Sequence, residues 1–425
     1  MTHLNTGSLN NLDVVCVGAG FAGLTAAVAL EGGGLKVLVV EASERIGGRT
    51  WTDTDTDGRA FERGGQLING DMNRILGHVA SAKLSLSAVS MGGAHAIFID
   101  DRLERSDVDD PFRFVIQPSE RELGGLSVGD LFRGAELPAN RLRMLRSAAM
   151  ELIGDDPDRL SAVALKRHAM HYHSNRDEAE FQIREGMGAL SSYFAEQLRH
   201  RVIVEAPVRR LAHNDGQIFV ETDHMRWTAR ACILAMTPVA ARAVETVPAW
   251  PVTVREALDS FVPGAVIKTV LTYATPFWRL AGLSGMLRFA DPTGLCVIDG
   301  SRDDGADRLI VFLGGPEARR SARLSDRERR DMVLTWLSRA LGPEAGHPLS
   351  FVETLWVDDP WCGGGYAAKI RCGGSVDAAE TLRSRLGPIG FACSEISDHF
   401  PGFVEGAIAS GEMAAERVSR FLNLK

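Results

Sequence analysis

The sequence lacks the patterns that hold disulfide-rich and metal-binding proteins together. Its six cysteines among 425 residues form no CxxC pair, and its eleven histidines show no HExxH spacing. Neither a disulfide framework nor a zinc site is therefore indicated. His168, His171 and His173 lie close together, but the flanking residues are typical of a surface loop. We predict no bound metal.

The sequence also lacks a basic surface and a long apolar run. The net charge is −8 and no basic cluster alternates with aromatic residues, so a nucleic-acid partner is not expected. No apolar run approaches the ~20 residues of a membrane-spanning helix. Residues 1–10 are polar and lack the apolar core of a signal peptide. We expect a disordered lead-in at 1–10, no membrane association and a cytoplasmic location.

The first fifty residues contain a glycine-rich turn after a buried strand. Residues 14–17 are apolar, as in a strand of a parallel sheet. Gly18, Gly20 and Gly23 then form a GxGxxG turn. The first glycine permits the turn, the second lets the backbone approach a pyrophosphate, and the third lets the helix pack on the strand.

A helix and an acidic residue complete this nucleotide-binding pattern. The helix predicted at about 22–30 directs its free N–H groups and positive dipole end towards the phosphates. Glu41 ends a second predicted strand at 37–40, where a carboxylate accepts hydrogen bonds from the ribose hydroxyls. The order of these elements predicts a Rossmann-type domain that binds the ADP half of a dinucleotide.

The segment after Glu41 favours a flavin dinucleotide over a nicotinamide one. Arg45 and Arg49 flank the pair Gly47 and Gly48, and guanidinium groups bind phosphate well. The run EASERIGGRT at 41–50 resembles the sequence after the dinucleotide motif in flavin-dependent amine oxidases. That family includes monoamine, polyamine, L-amino-acid and bacterial nicotine-degrading oxidases. The resemblance implies FAD, held here by Gly18, Gly20, Phe21, Ala22, Gly23, Glu41, Ala42, Arg45, Gly48 and Arg49.

A lysine within an apolar strand is the first catalytic candidate. The segment 264–278 resembles the strand in which family members place a lysine that reaches the flavin's central ring nitrogen through a water. Lys268 takes that position, and its neighbours are apolar. A buried lysine is costly unless it has a partner, so Lys268 is a functional candidate.

The segment 391–418 resembles the closing element of the same family. Glu395 matches an acid near the ribityl and phosphate part of FAD, although Cys393 stands where family members usually have glycine. Phe403 and Val404 match a turn whose N–H groups meet the flavin's pyrimidine end. A helix N-terminus there stabilises negative charge on the reduced ring.

The segment 358–370 resembles the region where monoamine oxidases join a cysteine to the flavin. Gly365 takes the cysteine position and Tyr366 the next one, while Cys362 lies upstream. The resemblance therefore implies noncovalent FAD. Tyr366 and Phe403 match the two aromatic rings that flank the substrate amine, where cation–π attraction can contribute.

Two shorter matches supply further cofactor contacts. The run FERGGQLI at 61–68 resembles the loop that enters the flavin face and implies contacts from Gly64, Gly65 and Gln66. The run at 202–211 resembles the strand whose backbone meets the adenine, at Val208.

These matches predict an α/β (α+β overall) fold in which two domains alternate along the chain. The chain is long enough for two cores. The FAD-binding domain comprises 11–79, 201–254 and 386–425, and a substrate domain of mixed sheet and helices comprises 80–200 and 255–385. The predicted substrate-domain elements are helices at 138–153 and 326–341 and strands at 266–273, 309–313 and 349–356.

We therefore predict an FAD-dependent oxidase of a C–N bond, acting on a small amine or amide. Dioxygen is the expected acceptor and hydrogen peroxide the product, and a homodimer is left open. Two other functions compete. One is a flavin desaturase or isomerase acting on C–C bonds, and the other is a non-catalytic flavin-binding protein. The substrate is not readable from these motifs, and none of them identifies an arginine for a substrate carboxylate.

Overall fold

The computed structural model describes residues 11–89, 92–106, 110–174, 179–384 and 387–423. The lead-in predicted at 1–10 lies outside these ranges. The strands of the described residues are β1 (Leu12–Val17), β2 (Val37–Val40), β3 (Thr52–Thr54), β4 (Ala60–Glu62), β5 (Leu86–Ala88), β6 (Ala94–Ile99), β7 (Arg102–Arg105), β8 (Phe181–Ile183), β9 (Arg210–Asn214), β10 (Gln217–Glu221), β11 (Arg226–Leu234), β12 (Glu245–Val247), β13 (Phe261–Val262), β14 (Val266–Tyr273), β15 (Leu283–Phe289), β16 (Leu295–Asp299), β17 (Asp307–Gly314), β18 (Ser350–Leu355), β19 (Lys369–Ile370) and β20 (Ile389–Phe391).

The helices vary from single turns to twenty residues. They are α1 (Phe21–Gly32), α2 (Asn73–Ser81), α3 (Arg113–Ile116), α4 (Glu120–Leu123), α5 (Val128–Gly134), α6 (Ala139–Ile153), α7 (Ala162–Met170), α8 (Met187–Glu196), α9 (Pro238–Ala241), α10 (Val252–Ser260), α11 (Phe277–Leu280), α12 (Gly315–Ser321), α13 (Asp326–Leu341), α14 (Ala378–Arg383) and α15 (Val404–Asn423).

The first large sheet has a parallel centre. β1 lies between β2 and β11, parallel to both, and β20 runs parallel to the second half of β11. The strands β12, β9 and β10 extend this sheet on the other side of β11. All four residues of β2 are buried, as expected for a parallel strand covered on both faces. The glycine-rich turn therefore lies at the carboxyl end of a central strand, where α/β sheets bind ligands.

Helices α1 and α15 pack closely on one face of this sheet. A Cβ atom added at Gly411 of α15 would lie 2.3 Å from the carbonyl oxygen of Ala22 in α1. The two helices share a core with β1 and β2 that includes Leu24, Val39 and Ile408. Because α15 begins at Val404, this packing fixes its N-terminus relative to the glycine-rich turn.

The second large sheet has the order β18-β14-β17-β16-β15-β6-β7, antiparallel except for the pair β15 and β6. Alternate residues of a strand point to opposite faces. Ile267 and Leu271 of β14 join the core that includes α13, whereas Val266 and Val270 join a cluster on the other face. Lys268 falls in register with Val266 and Val270, so it points away from the α13 core.

Most predicted elements are confirmed within a few residues. β14 and α13 have the predicted bounds, and α6 begins one residue later than predicted. Ser325 caps α13 with a capping box that Glu328 completes. The strand expected at 202–211 is wrong over most of its length: β9 begins only at Arg210, and Val208 lies in the segment before it.

The loop interpretation is wrong for His168 alone, because His171 and His173 follow the end of α7 at Met170. His168 lies within α7 and is close to Lys369 of β19: its Nε2 atom is 3.0 Å from the lysine Nζ atom. Among the described residues, no group of His, Cys, Asp and Glu side chains could hold a metal ion. In the same part of the chain, no helix combines the length and apolar character needed to cross a bilayer.

Candidate active site

A cavity of about 990 Å³ connects the two large sheets. It is lined by the glycine-rich turn and the end of β2 on one side, and by β14 to β17 on the other. Ligand cavities commonly span 300–1,000 Å³, so this one is large enough for an extended ligand. Tyr366 and Phe403, which are far from the turn in sequence, also line this cavity.

The three glycines of the turn have different surroundings. Gly18 has a φ of +109°, and a Cβ atom there would lie 2.3 Å from the carbonyl oxygen of Ala235. A Cβ atom at Gly23 would lie 2.0 Å from the Gly18 carbonyl oxygen. At Gly20, which precedes α1, the nearest atom would be the Gly48 Cα at 3.9 Å. Gly18 and Gly23 are needed for the turn itself, and Gly20 leaves open space at the cavity wall.

Glu41 ties the end of β2 to this turn. Its Oε2 accepts a 2.7 Å hydrogen bond from the Ala19 N–H, and its Oε1 accepts two from Ser43. Each carboxylate oxygen has two acceptor positions, so capacity remains for a ligand hydroxyl. The residue is 8% exposed and lines the cavity.

The two arginines after Glu41 have different environments. Arg49 donates two hydrogen bonds to Glu395, of 2.6 and 2.9 Å, and a third to the Tyr366 carbonyl oxygen. Burial alone would raise the pKa of Glu395, but the Arg49 guanidinium outweighs burial and holds it below its usual value. Arg45 donates to the Thr50 carbonyl oxygen and lies 4.8 Å from the Trp51 ring centroid.

Lys268 is 2% exposed and lines the cavity. Its Nζ atom donates a 2.7 Å hydrogen bond to the Gly64 carbonyl oxygen and another to Gln66 Oε1. Burial lowers the pKa of Lys268 to about 7, while Glu62 opposes the shift and Arg302 adds to it. Gln66 in turn donates to Gln182 at 2.9 Å. The structure thus brings together three residues that the sequence predicted separately.

Two large aromatic side chains are unusually exposed at the cavity. Tyr366 and Phe403 are 36% and 37% exposed, although rings of this size gain most from burial. The Tyr366 ring packs edge-on against Phe312, and Phe403 lies 5.1 Å from Tyr172 between ring centroids. The rings therefore present open faces to a ligand, and Tyr172 is an aromatic neighbour that the sequence did not identify.

The predicted cofactor and catalytic residues line this one cavity, with two exceptions. Gly23 packs inside the turn, and Glu395 lies behind the wall on Arg49. Cys393 has an extended backbone with a φ of −164°. This conformation does not require the glycine that is usual at this position in flavin-dependent amine oxidases. Lining the cavity are Gly18, Gly20, Phe21, Ala22, Glu41, Ala42, Arg45, Gly48, Arg49, Gly64, Gly65, Gln66, Val208, Lys268, Tyr366, Phe403 and Val404.

The sequence did not identify a buried polar group beside the aromatic residues. The Tyr366 hydroxyl donates a 3.1 Å hydrogen bond to Glu151 Oε1, and Arg288 Nη2 lies 4.0 Å from Glu151 Oε2. Burial raises the pKa of Glu151, and Arg288 only partly opposes the shift. Nearby, burial lowers the pKa of Lys369 to about 8, next to His168. No local motif marks these residues because their partners are more than a hundred positions away.

The residues present fit a flavin dinucleotide. The open space at Gly20 faces the N-terminus of α1, as a pyrophosphate requires. Glu41 retains acceptor capacity at the end of β2, and the same cavity continues to the N-terminus of α15 at Val404.

Comparison with known proteins agrees with this geometry. The family model for flavin-containing amine oxidoreductases matches residues 21–120 and 92–419. The chain is 28% identical to the putrescine oxidase of Kocuria rosea over 96% of its own length and 95% of that protein. It is 26% identical to flavin-containing amine oxidase B of Bos taurus over 96% of its own length and 86% of that protein.

A solved structure supports the fold as well as the family. The cyclohexylamine oxidase of Brevibacterium oxydans IH-35A has a TM-score of 0.89 and 26% sequence identity, covering 97% of this chain and 99% of that one. The predicted α/β fold class and FAD cofactor are confirmed by these relatives. The chain belongs to the flavin-containing amine oxidoreductase family and is an FAD-dependent amine oxidase.

Proposed function

We propose that this enzyme oxidises a C–N bond of a small amine, with dioxygen as acceptor and hydrogen peroxide as product. The observation that carries the proposal is the buried Lys268, which lines the cavity and whose ammonium group donates to Gly64 and Gln66. FAD, when bound, supplies the ring that accepts two electrons and one hydrogen from the amine's α C–H bond, which leaves an iminium. Water then hydrolyses the iminium.

The glycine-rich turn and its neighbours hold the dinucleotide. The N-terminus of α1 and the Gly20 backbone would bind the pyrophosphate, and Glu41 would accept from a ribose hydroxyl. Val208, which lines the cavity, would contact the adenine. Gly64, Gly65 and Val404 would contact the flavin end, where the N–H groups at the start of α15 would stabilise negative charge. Support comes from the shared cavity that these residues line.

Lys268 assists the return of electrons to dioxygen. An ammonium group has three donors, and Gly64 and Gln66 accept from two of them. The third donor can hold a water beside the ring. Its positive charge stabilises the negative charge that develops on dioxygen before two protons and two electrons complete hydrogen peroxide.

Tyr366 and Phe403 orient the amine. Their exposed faces accept a neutral amine between them, with its α C–H directed at the flavin, and the flat rings exclude water from the reacting carbon. Phe403 has no hydroxyl group, so Tyr366 supplies the polar edge of the pair through its bond to Glu151.

The FAD is bound noncovalently. Gly365 occupies the position of the flavin-linked cysteine in monoamine oxidases. Cys362 donates to the Gly364 carbonyl oxygen at 3.4 Å, and burial raises the pKa of its thiol to about 12. A thiol that remains protonated is a poor nucleophile. Acid precipitation should therefore release intact FAD, whereas flavin retained in the pellet would contradict noncovalent binding.

The reaction itself is tested by separating its two halves. An amine substrate should bleach the bound flavin without air, and oxygenated buffer should restore the colour with one equivalent of peroxide. Bleaching by an alkene-forming substrate but by no amine would favour a desaturase, and no bleaching by either would favour a binding protein.

The cytoplasmic location and a homodimer stay predictions, to be checked by cell fractionation and light scattering.

A further inference from the structure

The Glu151–Arg288 pair is a polar group in a largely apolar wall. Met286, Cys296 and Phe312 line the same cavity, as does Asp110, whose charge also acts on Arg288. Glu151 comes from α6 and Arg288 from β15, so two separate elements bring a buried carboxyl and a guanidinium to the wall beside Tyr366. A charged pair in such a wall is costly unless its hydrogen bonds are satisfied.

The hydrogen bonds of Arg288 are not satisfied by the described residues. Its closest anionic atom is Glu151 Oε2, at 4.0 Å from Nη2, which is beyond hydrogen-bonding distance. Its Nε atom is buried and has no acceptor in the part of the chain that the structure describes. Glu151 Oε2 also lacks a donor there. The pair is therefore loose, and the guanidinium has N–H groups to offer.

Arg288 rather than Glu151 meets a ligand first. The Arg288 side chain is 21% exposed and that of Glu151 8%, and both line the cavity. A second ammonium group on a substrate would therefore meet a guanidinium of like charge. An oxygen acceptor would instead complete the planar fork of Arg288, which matches a carboxylate or carbonyl group.

We propose that Arg288 binds a carbonyl or carboxylate oxygen of the amine substrate, with Glu151 as a positioning residue that accepts from the Tyr366 hydroxyl and places a carboxyl group beside Arg288. The preferred substrates are then amines that carry a C=O group, rather than diamines or plain alkylamines. This inference rests on the proposed function, because the reacting amine must lie at Tyr366 and Phe403.

Four series of linear amines, with chains from propyl to hexyl, test the inference. The end opposite the reacting amine is a methyl group in the first series, a carboxylate in the second, a carboxamide in the third and an ammonium group in the fourth. In the wild type, kcat/KM at the best length should be about tenfold higher or more for carboxylate or carboxamide than for methyl, the scale of a charge-assisted hydrogen bond. It should be lowest for ammonium. The ratio of carboxylate to carboxamide identifies which oxygen group is preferred.

Variants at both residues sharpen the test. Arg288→Met should reduce the ratio of kcat/KM for carbonyl-ended substrates to kcat/KM for methyl-ended ones to about one. Arg288→Lys should retain part of this preference, which serves as a check on folding. Glu151→Gln keeps an acceptor for Tyr366 but removes the charge, so the ratio of carboxylate to carboxamide should rise. Arg327→Met, at a side chain 91% exposed, is the matched control and should leave every ratio unchanged.

Binding provides a measurement that does not depend on turnover. Butyrate and butyramide lack the amine, and calorimetry should detect their binding to the wild-type holoenzyme and its loss in Arg288→Met. If no amine is oxidised but this binding pattern holds, the proposed reaction fails and the subsite stands. Wild-type preference for the diamines, or unchanged ratios and binding in Arg288→Met, would overturn the subsite.

Discussion

The side chain of Lys268 is almost fully removed from water and still lies among polar partners. Desolvation disfavours its charge, whereas the Gly64 and Gln66 oxygens and the nearby Glu62 favour it. A pKa of about 7 results, so small changes in pH alter the charge that faces the cavity. Perturbed groups of this kind cluster at functional sites.

The first prediction concerns this charge. Lys268→Met keeps the stem of the side chain but removes its donors, so we expect normal anaerobic reduction and reoxidation slowed by roughly 10²-fold. In the wild type, reoxidation should also slow as pH rises through about 7, because the lysine loses its proton, and the variant should lack this dependence. Stopped-flow absorbance measures each half-reaction. Equal reoxidation rates in both proteins would refute the assigned role.

The second prediction concerns the Arg49–Glu395 pair. In the folded protein the pKa of Glu395 lies below its usual value of 4.5. The unfolded chain therefore binds the proton more tightly than the folded protein does. The pair's contribution is complete above about pH 4.5 and is lost as pH falls through the folded pKa. Glu395→Gln leaves Arg49 without its anionic partner and should cost about 3–5 kcal/mol at neutral pH. The unfolding free energy of this variant, measured in urea, should fall less at acidic pH than that of the wild type. An equal fall in both proteins would contradict this.

Among the elements, α1 and α15 determine the shape of the cofactor end. α1 presents its N-terminus at Gly20, and α15 presents its own at Val404. The two helices are held together where Gly411 allows close approach to the Ala22 backbone. Small displacements at this crossing would move both N-termini relative to a bound dinucleotide, because close-packed interiors transmit strain.

The third prediction tests this crossing. Gly411→Ala places a Cβ atom 2.3 Å from the Ala22 carbonyl oxygen, so the helices must separate, at a cost of about 1–3 kcal/mol in unfolding free energy. FAD affinity should also fall. Gly77→Ala in α2 is the control, because apart from its chain neighbours and its own helix backbone no atom lies within 4 Å of its Cβ position. That variant should be neutral or up to about 1 kcal/mol more stable. Equal effects of the two changes on urea unfolding would contradict the packing argument.

In the whole molecule, two sheets with separate cores share one cavity. The parallel sheet contributes the glycine-rich turn, and the mainly antiparallel sheet contributes the wall with Lys268 and Arg288. A ligand that fills the cavity touches both sheets and therefore favours the folded state of each. The predicted assignment of five chain segments to two domains stays a prediction.

The fourth prediction follows from this arrangement. Added FAD should raise the unfolding free energy of the apoprotein by about 2.7 kcal/mol at a free concentration one hundred times Kd, and by about 1.4 kcal/mol for each further tenfold increase. ADP, which fills only the nucleotide end, should need higher concentrations for the same shift. Thermal unfolding at several ligand concentrations measures both. An apoprotein whose stability does not respond to FAD would contradict the cofactor site.

The sequence by itself determined the local parts of this site. The glycine-rich turn depends on backbone conformation and close contacts within a few residues, so Gly18, Gly20 and Gly23 are readable from their spacing. Lys268 could be found because its strand resembles that of flavin-dependent amine oxidases and because its apolar neighbours make a lysine conspicuous. The helix bounds at α13 follow from a capping box and a regular pattern of residues. In each case the physical cause acts over one turn or one strand.

Only the tertiary structure decided the partners of these residues. Arg49 is 346 positions from Glu395, Tyr366 is 215 from Glu151, and Lys369 is 201 from His168. Whether a charge meets its opposite, a like charge or water depends on how distant elements pack, and no local pattern encodes that. The sequence therefore indicated a flavin site and its reaction, while the proposed substrate end, with Glu151 and Arg288, depended on the meeting of α6, β15 and the segment before β19.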